Sequence, residues 1–241
     1  MQGDQIYGTR ARIGLIVPSS NTCTEAEFNA LKPPGVSVHA ARMLLTHGTI
    51  EQLARMAQDT EMAAELVATA RPSIIAFACT TGSLFGGPGW DEKLRERIQK
   101  IARVPATTTS TAVIKAFREL GIKKVSVGTP YNEELNKVEV DFFEAAGIKV
   151  LAMKGLDLTV EEMHQLPLER YMELAREVNK PGADAVFLSC TNLKAVPIVE
   201  RLEQELGKPV FNSNIATFWD VMRQLGIKEP IKGRGRLLAS I

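Results

Sequence analysis

Ile74-Ile75-Ala76-Phe77 runs directly into Ala78-Cys79-Thr80-Thr81-Gly82-Ser83, and this junction indicates how the chain is built. Four apolar residues without polar alternation predict a short strand that is buried on both faces. In an open α/β sheet, ligands bind at the carboxyl ends of the strands, where the cysteine and the hydroxyl side chains stand here. The same arrangement returns downstream, where Ala185-Val186-Phe187-Leu188 leads into Ser189-Cys190-Thr191-Asn192.

The spacing around the two cysteines is repeated. Pro18 lies 61 residues before Cys79, and Pro130 lies 60 residues before Cys190. Between these points, apolar strand-like runs alternate with helix-like stretches, a pattern typical of parallel α/β sheets. The sequence therefore predicts two similar, flavodoxin-like α/β domains with parallel sheets, related by a pseudo-twofold axis, with the active site between them.

We predict an N-terminal domain over residues 1–112 and a C-terminal domain over residues 113–225. The tail, residues 226–241, is expected to contain a loop with one short strand and to pack back on the N-terminal domain. Apolar residues at helical spacing predict one long helix over 47–70. Other helices are predicted over 112–120, 168–178 and 217–225.

The composition is that of an ordinary globular protein. Of 241 residues, 45% are hydrophobic and 24% are charged, and 29 basic residues balance 28 acidic ones. Such a balance provides no excess field to attract nucleic acid or a membrane surface. Residues 1–10 lack the apolar core of a signal peptide, and no apolar run approaches the ~20 residues of a membrane span. We expect a cytoplasmic protein.

The sequence contains no motif that predicts a metal or nucleotide site. The chain has three cysteines and three histidines, without CxxC or HExxH spacing. It also lacks a GxGxxG after a strand and a phosphate-binding loop. An odd, small number of cysteines argues against a disulfide framework. We expect reduced thiols and no cofactor.

A pair of thiols at a domain cleft suits nucleophilic or proton-transfer chemistry. The thiolate is the reactive form, and backbone N–H groups at a strand-to-helix turn are expected to lower its pKa. Hydroxyls of Thr80, Thr81 and Thr191 would suit a substrate carboxylate. A lone cysteine is more often core filler, but Cys79 and Cys190 occupy equivalent settings, which favours a catalytic pair. Cys23 has no counterpart in the second half and is interpreted as structural.

Two further side chains follow the first strand of each half. Asn21 and Tyr131 are both predicted to reach the cleft and bind substrate. Asn21 has an alternative role as a helix cap, and Tyr131 has an alternative as a surface residue. Ser19, in the turn before Asn21, and Asn192, after the second cysteine, complete the predicted substrate-binding set.

Several of these motifs together resemble a known superfamily. Ile13 to Asn21 (IGLIVPSSN), Ala78-Cys79-Thr80 and Ser189-Cys190-Thr191-Asn192-Leu193 look like the maleate cis–trans isomerase branch of the aspartate/glutamate/hydantoin racemase superfamily. Thr107 to Val113 and Thr129-Pro130-Tyr131 are similar to arylmalonate decarboxylase of the same superfamily. The resemblance implies a cofactor-independent enzyme with a paired-cysteine site between two α/β domains.

The resemblance carries over residue by residue. The isomerase pattern places Asn21, Cys79, Tyr131 and Cys190 in the site. The decarboxylase branch has glycine at the position of Cys79, and its dioxyanion pocket matches Thr80, Thr81 and Tyr131. One departure is the stretch Asp157 to Glu162, which lacks the asparagine that isomerases carry in the corresponding loop.

These observations favour cis–trans isomerisation of a small unsaturated dicarboxylate, maleate to fumarate. In this hypothesis Cys79 is the nucleophile and Cys190 donates and recovers the proton. The same residues also suit a two-base racemase of an amino acid or hydantoin, or an arylmalonate-type decarboxylase. A non-catalytic protein that binds a small carboxylate is the alternative from another class. The substrate, the division of roles between the thiols and the presence of a homo-oligomer stay open.

Overall fold

The computed structural model describes residues 3–241, which form two parallel four-stranded sheets flanked by helices. A 3-10 turn, Gly3–Ile6, precedes the first sheet. The strands of the first half are β1 (Ala11–Pro18), β2 (Val36–Met43), β3 (Ile74–Phe77) and β4 (Ala106–Thr108), in the order β2-β1-β3-β4. Those of the second half are β5 (Lys124–Thr129), β6 (Lys149–Gly155), β7 (Ala185–Leu188) and β8 (Val210–Asn212), in the order β6-β5-β7-β8. The identical order confirms the predicted pair of α/β units.

Helices connect the strands in both halves. In the first half they are α1 (Thr24–Leu31), α2 (Ile50–Gln58), α3 (Thr60–Ala68), α4 (Thr80–Leu84), α5 (Trp90–Ala102) and α6 (Thr109–Glu119). In the second they are α7 (Glu133–Ala145), α8 (Val160–Gln165), α9 (Leu168–Val178), α10 (Val199–Leu206), α11 (Ser213–Gln224) and α12 (Arg236–Ala239). None of the helices in residues 3–241 is long and apolar enough to cross a membrane.

The central strands are covered on both faces, as their sequences predicted. Every residue of β3 and of β7 is buried. β1 pairs with β3 from Ile13 opposite Ile74, and β5 pairs with β7 from Val125 opposite Ala185. Because all strands in a sheet run in parallel, their carboxyl ends share one edge. The residues after β1 and β3 therefore lie side by side, as do those after β5 and β7.

The helix that follows the last strand of each half packs into the other half. On α6, the ring of Phe117 lies 5.4 Å from Phe143, 5.6 Å from Phe187 and 5.5 Å from Phe211, all in the second half. On α11, Phe218 meets Phe28 of α1 with ring centroids 5.2 Å apart. Helix α11 also packs on β3 and β4. The two halves thus share their cores.

Several predicted boundaries are corrected by local capping. The predicted helix over 47–70 is two helices that meet at Asp59. Helices α6 and α11 begin directly after their strands, earlier than the predicted 112 and 217. The side chain of Thr108 accepts a hydrogen bond from the backbone N–H of Thr111, and Asn212 accepts one from Ile215. These caps satisfy N–H groups of the first turn and so allow the earlier start.

The tail forms a helix where a short strand was predicted. In α12, Leu237 and Leu238 are buried. The backbone N–H of Arg236 donates to the carboxylate of Glu203 on α10 at 2.9 Å. Glu229 pairs with Arg10 of the first half. The tail therefore contacts both halves, whereas the division at residue 112 stays a prediction.

Candidate active site

A cavity of about 50 Å³ lies between the carboxyl ends of the two sheets. Both predicted cysteines line it: Cys79 follows β3, and Cys190 follows β7. Its volume suits a few water-sized groups, which restricts any ligand to a small molecule. Eight of the nine predicted site residues contribute to its wall: Asn21, Cys79, Thr80, Thr81, Tyr131, Cys190, Thr191 and Asn192.

Cys79 caps a short helix with its sulfur. It is the N-cap of α4, and its Sγ accepts a hydrogen bond from the backbone N–H of Gly82 at 3.3 Å. The hydroxyl of Thr81 lies 3.9 Å from the same sulfur. Burial raises the pKa of the Cys79 thiol to about 11, and the contacts with Gly82 and Thr81 offset only part of that rise.

Cys190 sits in a turn that does not continue into a helix. Its Sγ accepts a hydrogen bond from the backbone N–H of Asn192 at 3.2 Å, and its own N–H donates to Ser213 Oγ at 3.1 Å. The next helix begins only at Val199. Burial raises the pKa of the Cys190 thiol to about 12; the N–H of Asn192 and the Tyr131 hydroxyl lower it, and negative charge at Cys79 raises it.

The pKa directions correct the expectation of lowered thiol values. Desolvation disfavours a thiolate in a site as buried as this one, and the two hydrogen bonds to each sulfur do not outweigh it. Cys79 and Cys190 are therefore both neutral thiols in the ligand-free protein near pH 7.

Asn21 reaches the cavity and also supports the start of α1, and its role in substrate binding stays a prediction. Its Oδ1 accepts hydrogen bonds from the backbone N–H groups of Cys23 and Thr24 at 3.0 and 2.9 Å, which caps the start of α1. Its Nδ2 donates to the hydroxyl of Thr191 in the second half at 3.1 Å. Nearby, the side-chain oxygen of Asn192 accepts from the backbone N–H of Thr22 at 2.9 Å. These bonds join the two halves along one side of the cavity.

Tyr131 and Thr80 approach from opposite halves. Tyr131 is buried, and burial together with the neighbouring Cys190 holds the pKa of its phenol well above the usual value. The phenol is therefore a neutral hydrogen-bond donor. Thr80 donates its hydroxyl to Ser213 Oγ at 2.8 Å, and Ser213 in turn accepts from the N–H of Cys190. A hydrogen-bonded chain thus links the two cysteine turns.

Ser19 is the one predicted residue that lies off the cavity. Its hydroxyl accepts from the backbone N–H of Leu45 at 3.1 Å and donates to the Leu45 carbonyl at 3.4 Å, so it anchors the segment after β2. Ser20 is the serine that lines the cavity. Cys23 also lies outside it, with its sulfur 3.4 Å from the carbonyl of Asn192.

An apolar wall of the cavity was not predicted. It consists of Leu45 and Gly48 in the segment after β2, and of Val160 and Met163 on α8 after β6. These segments follow the second strand of each half and are equivalent in the repeat. The repeat could have revealed them, since it had already paired the residues after the first and third strands. Val160 belongs to the stretch that departs from the isomerase pattern, and Met163 directly follows that stretch.

Metal-binding side chains do not gather near the thiols. Within residues 3–241, no three of the histidine, cysteine, aspartate and glutamate side chains are grouped so as to hold a metal ion. The polar atoms of the cavity wall are amides, hydroxyls and thiols. Such a wall can donate hydrogen bonds to an anion and can offer two sulfurs to one bound molecule.

Comparison with known proteins agrees with this architecture. The sequence pattern of the family described as arylmalonate decarboxylase matches residues 13–238. Maleate isomerase of Alcaligenes faecalis is 30% identical over 245 residues, which cover 95% of this chain and 97% of that protein. The predicted resemblance is confirmed along nearly the whole chain.

Two solved structures are also similar. The maleate isomerase Iso of Pseudomonas putida S16, in a variant crystallised with maleate, is 27% identical with a TM-score of 0.92, covering 95% of this chain and 98% of that one. A mutant of Nocardia farcinica maleate cis–trans isomerase carries a covalently bound succinylcysteine intermediate. It is 29% identical with a TM-score of 0.92, and the match covers 95% and 98% of the two chains.

Family membership removes one of the alternatives drawn from the sequence. The relatives found in sequence and in structure are enzymes, so a non-catalytic binding protein is no longer supported. The chain belongs to the arylmalonate decarboxylase family, and it is an enzyme of the isomerase type found among the members of that family.

Proposed function

We propose that this enzyme interconverts the cis and trans forms of a small unsaturated dicarboxylate, maleate to fumarate, with Cys79 and Cys190 acting as a pair. The observation that carries the proposal is that both sulfurs line one cavity of about 50 Å³. The succinylcysteine of the Nocardia relative supports addition of a cysteine to the alkene. Two thiols on one small ligand can divide addition and proton transfer between them.

The proposed reaction begins with addition. The Cys79 thiolate forms a bond to one alkene carbon, the carbon–carbon π bond breaks, and the electron pair moves to the neighbouring carbon and its carboxylate. Cys190 gives its S–H proton to that carbon and becomes a thiolate. The former double bond is now single and rotates. Cys190 then recovers the proton, the bond between Cys79 and carbon breaks, and fumarate leaves.

The donors of the cavity wall oppose the charge that develops. The Tyr131 phenol is neutral and buried, and the Asn21 amide and the Thr81 hydroxyl stand at the same cavity. Fixed donors in a dry site stabilise an enolate-like charge more than water does. Because they are uncharged, they also add no competing ion to a site that receives a dianion.

The raised thiol pKa values define the active form. Addition needs one thiolate, and transfer to carbon needs one thiol, so the working enzyme has lost one proton from the pair. Near pH 7 the pKa values of about 11 and about 12 leave both thiols protonated in most molecules.

Two rival reactions use the same cavity. A two-base racemase would move an α-proton between Cys79 and Cys190 without forming a sulfur–carbon bond. A decarboxylase of the arylmalonate type would release carbon dioxide and protonate the product from Cys190. The resemblance noted from the sequence places glycine at the Cys79 position in the decarboxylase branch. The presence of a thiol at Cys79 therefore argues against this rival.

A substrate panel tests the proposal. Maleate, methylmaleate, phenylmalonate and an amino acid such as aspartate are each incubated with the wild type, Cys79→Ser, Cys190→Ser and Cys23→Ser. Methylmaleate probes the apolar wall at Leu45 and Met163. Fumarate formation, carbon dioxide release and optical rotation are followed.

The expected result is fumarate from maleate with the wild type and with Cys23→Ser, whose sulfur lies outside the cavity. Both other variants should lose turnover. Racemisation without fumarate, or carbon dioxide as the main product, would move the assignment to one of the rivals.

A further inference from the structure

A fully buried carboxyl group stands directly behind the Cys190 turn. Glu139 lies on α7 and is 0% exposed. Its Oε1 accepts a hydrogen bond of 2.5 Å from the hydroxyl of Ser189, the residue before Cys190. Its Oε2 has no hydrogen-bond partner within residues 3–241. A buried oxygen left in this way is costly when charged and tolerable when it belongs to a neutral acid.

A second buried carboxyl group holds the other side of the same turn. Glu27 on α1 precedes Glu139 by 112 residues, the offset that also separates Pro18 from Pro130. Its Oε2 accepts a hydrogen bond of 2.6 Å from Asn214 Nδ2, which also donates to the Thr191 carbonyl at 2.9 Å. Equivalent positions of the repeat thus supply supports before and after Cys190.

The Cys79 turn has no such support. Ala78 stands where the second half has Ser189, so no hydroxyl is available there for a carboxyl group. The carbonyl of Thr80, after Cys79, accepts instead from the hydroxyl of Ser83 at 3.0 Å. The two cysteines share a sequence pattern but differ in the groups behind them.

We propose that Glu139 is a positioning residue for Cys190. Glu139 fixes the cysteine turn through Ser189, and it must remain a neutral acid while Cys190 gives up its proton. This inference rests on the proposed function, since it assigns proton transfer to Cys190. In the adduct, Cys190 is a thiolate beside a dianionic ligand. A further negative charge on Glu139 would oppose that state in a site of low dielectric constant.

The electrostatics around Glu139 agree with this role. Burial raises the pKa of its carboxyl group to about 8, and only the Ser189 hydroxyl opposes the rise. Cys190 and Glu139 both raise the pKa of the Tyr131 phenol, so a charge on either group is felt at that hydroxyl, which lines the cavity. Helix α4, which packs on α7, contributes no ionisable side chain beyond its capping residue Cys79.

Other charged groups near α7 are turned to solvent or paired. Those on α7 itself are exposed: Glu133, Glu134, Lys137, Asp141 and Glu144. On the neighbouring elements α6, β5 and β6, two lysines are paired: Lys115 with Asp220 and Lys154 with Glu177. The other charged side chains there are exposed, for example Arg118, Glu119, Lys124 and Lys149. Ionisation of Glu139 is therefore expected to act on the Tyr131 phenol and, through the Ser189 hydrogen bond, on the turn that holds Cys190.

The pH dependence of kcat/KM for maleate tests the inference, because that parameter reports ionisations of the free enzyme. In the wild type we expect log kcat/KM to rise with pH and then to break near pH 8, where Glu139 ionises. Glu139→Gln keeps an acceptor for Ser189 but cannot ionise, so its profile should rise through pH 8 without the break. Glu139→Leu and Ser189→Ala remove the hydrogen bond and should each lower kcat about tenfold.

The matched control is Glu203→Gln. Glu203 is a buried carboxyl group on α10 that accepts from the backbone N–H of Val210, away from the cavity. It should keep the wild-type break. If the break near pH 8 survives in Glu139→Gln, the inference is overturned. If the break disappears in Glu27→Gln instead, the ionisation that causes it belongs to Glu27.

A second readout does not depend on maleate. In a Cys23→Ser, Cys79→Ser background, Cys190 is the one remaining cysteine. Its alkylation rate by iodoacetamide reports the thiolate fraction. With Glu139 the rate should rise less steeply above pH 8 than with Gln at this position. Equal profiles overturn the inference even if maleate is isomerised, and unequal profiles uphold it even if maleate is not the substrate.

Discussion

The side-chain amide of Asn21 donates to the hydroxyl of Thr191 across the boundary between the two halves, at 3.1 Å. Both residues are 3% exposed. The same asparagine caps α1 through its oxygen, so one side chain supports a helix and closes a wall of the cavity. Its oxygen contributes to stability and its nitrogen contributes to the cavity wall, and a pair of variants can separate the two contributions.

Asn21→Asp keeps the capping oxygen but loses the donor and adds a negative charge to a site that we propose binds a dianion. We expect its free energy of unfolding to fall by less than about 1 kcal/mol, while kcat/KM for maleate falls at least about 100-fold. Asn21→Ala should lose activity and also about 1–2 kcal/mol of stability, because the cap is gone. Urea unfolding and initial rates separate the two effects. Asn29→Ala, exposed on the same helix, is the control; equal stability loss in both Asn21 variants would contradict the division.

The two thiols are expected to behave unequally with substrate. Cys79→Ser should form no covalent adduct with maleate, since a hydroxyl is far less ionised than a thiol near neutral pH. Cys190→Ser should turn over no substrate but retain a nucleophile, and so accumulate an adduct. Intact-protein mass spectrometry decides between the assignments. An adduct on Cys190 in the Cys79→Ser variant would reverse the roles.

The rate should increase with pH on the acidic side of pH 8. Burial raises the pKa of Cys79 to about 11. At pH values below that pKa, each rise of one pH unit increases the thiolate fraction about tenfold. We expect log kcat/KM for maleate to rise with a slope near 1 between about pH 6 and 7.5. A flat profile over that range would show that the thiol pair loses its proton at a lower pH than the burial of Cys79 implies.

Stability should have the opposite pH dependence. Burial raises the pKa of Glu27 to about 7 and that of Glu139 to about 8 in the folded protein, above the usual glutamate value of 4.5. A raised folded-state pKa means that the native protein holds the proton more tightly than the unfolded chain. The resulting stability is complete below about pH 4.5 and is lost as the pH rises through 7 and 8. Chemical unfolding at pH 5 and pH 8.5 should show this loss of unfolding free energy. Glu139→Gln removes one titrating group and should make the loss smaller by up to about 1.4 kcal/mol per pH unit. A variant that keeps the whole loss would rule out Glu139 as a contributor.

Phe117 should be among the most costly core positions. It is fully buried and contacts three aromatic rings of the second half. Phe117→Ala should lower the free energy of unfolding by about 3–5 kcal/mol, and Phe117→Leu by clearly less. Thermal unfolding measures both. A loss below about 1 kcal/mol for the alanine variant would mean that α6 does not tie the halves together.

The repeat made much of this site predictable from sequence. The offset between the halves placed Cys79 with Cys190, and the strand-end rule placed Asn21 and Tyr131 beside them. These inferences need only strand order and period, and both are encoded locally. The fold, the family and the enzymatic class followed from the same residues and are confirmed.

The properties that escaped prediction depend on three-dimensional neighbours. The direction of the thiol pKa shift is set by desolvation, which no local pattern displays. Glu139 reads in sequence as one more charged residue on an amphipathic helix, and its burial appears only once α7 lies on the sheet. Ser19 and Ser20 are adjacent in a turn, and only the bonds of Ser19 to Leu45 decide which one faces the cavity.

The crossed placement of α6 and α11 has a consequence for the origin of the chain. A half-length ancestor with this pattern would leave part of its core unpacked, because its last helix packs on the neighbouring unit as well as on its own strands. Two copies of such a chain would complete each other's cores as an intertwined dimer. Fragments 1–120 and 121–241, produced together, should therefore reassemble into one particle, while either produced alone should aggregate.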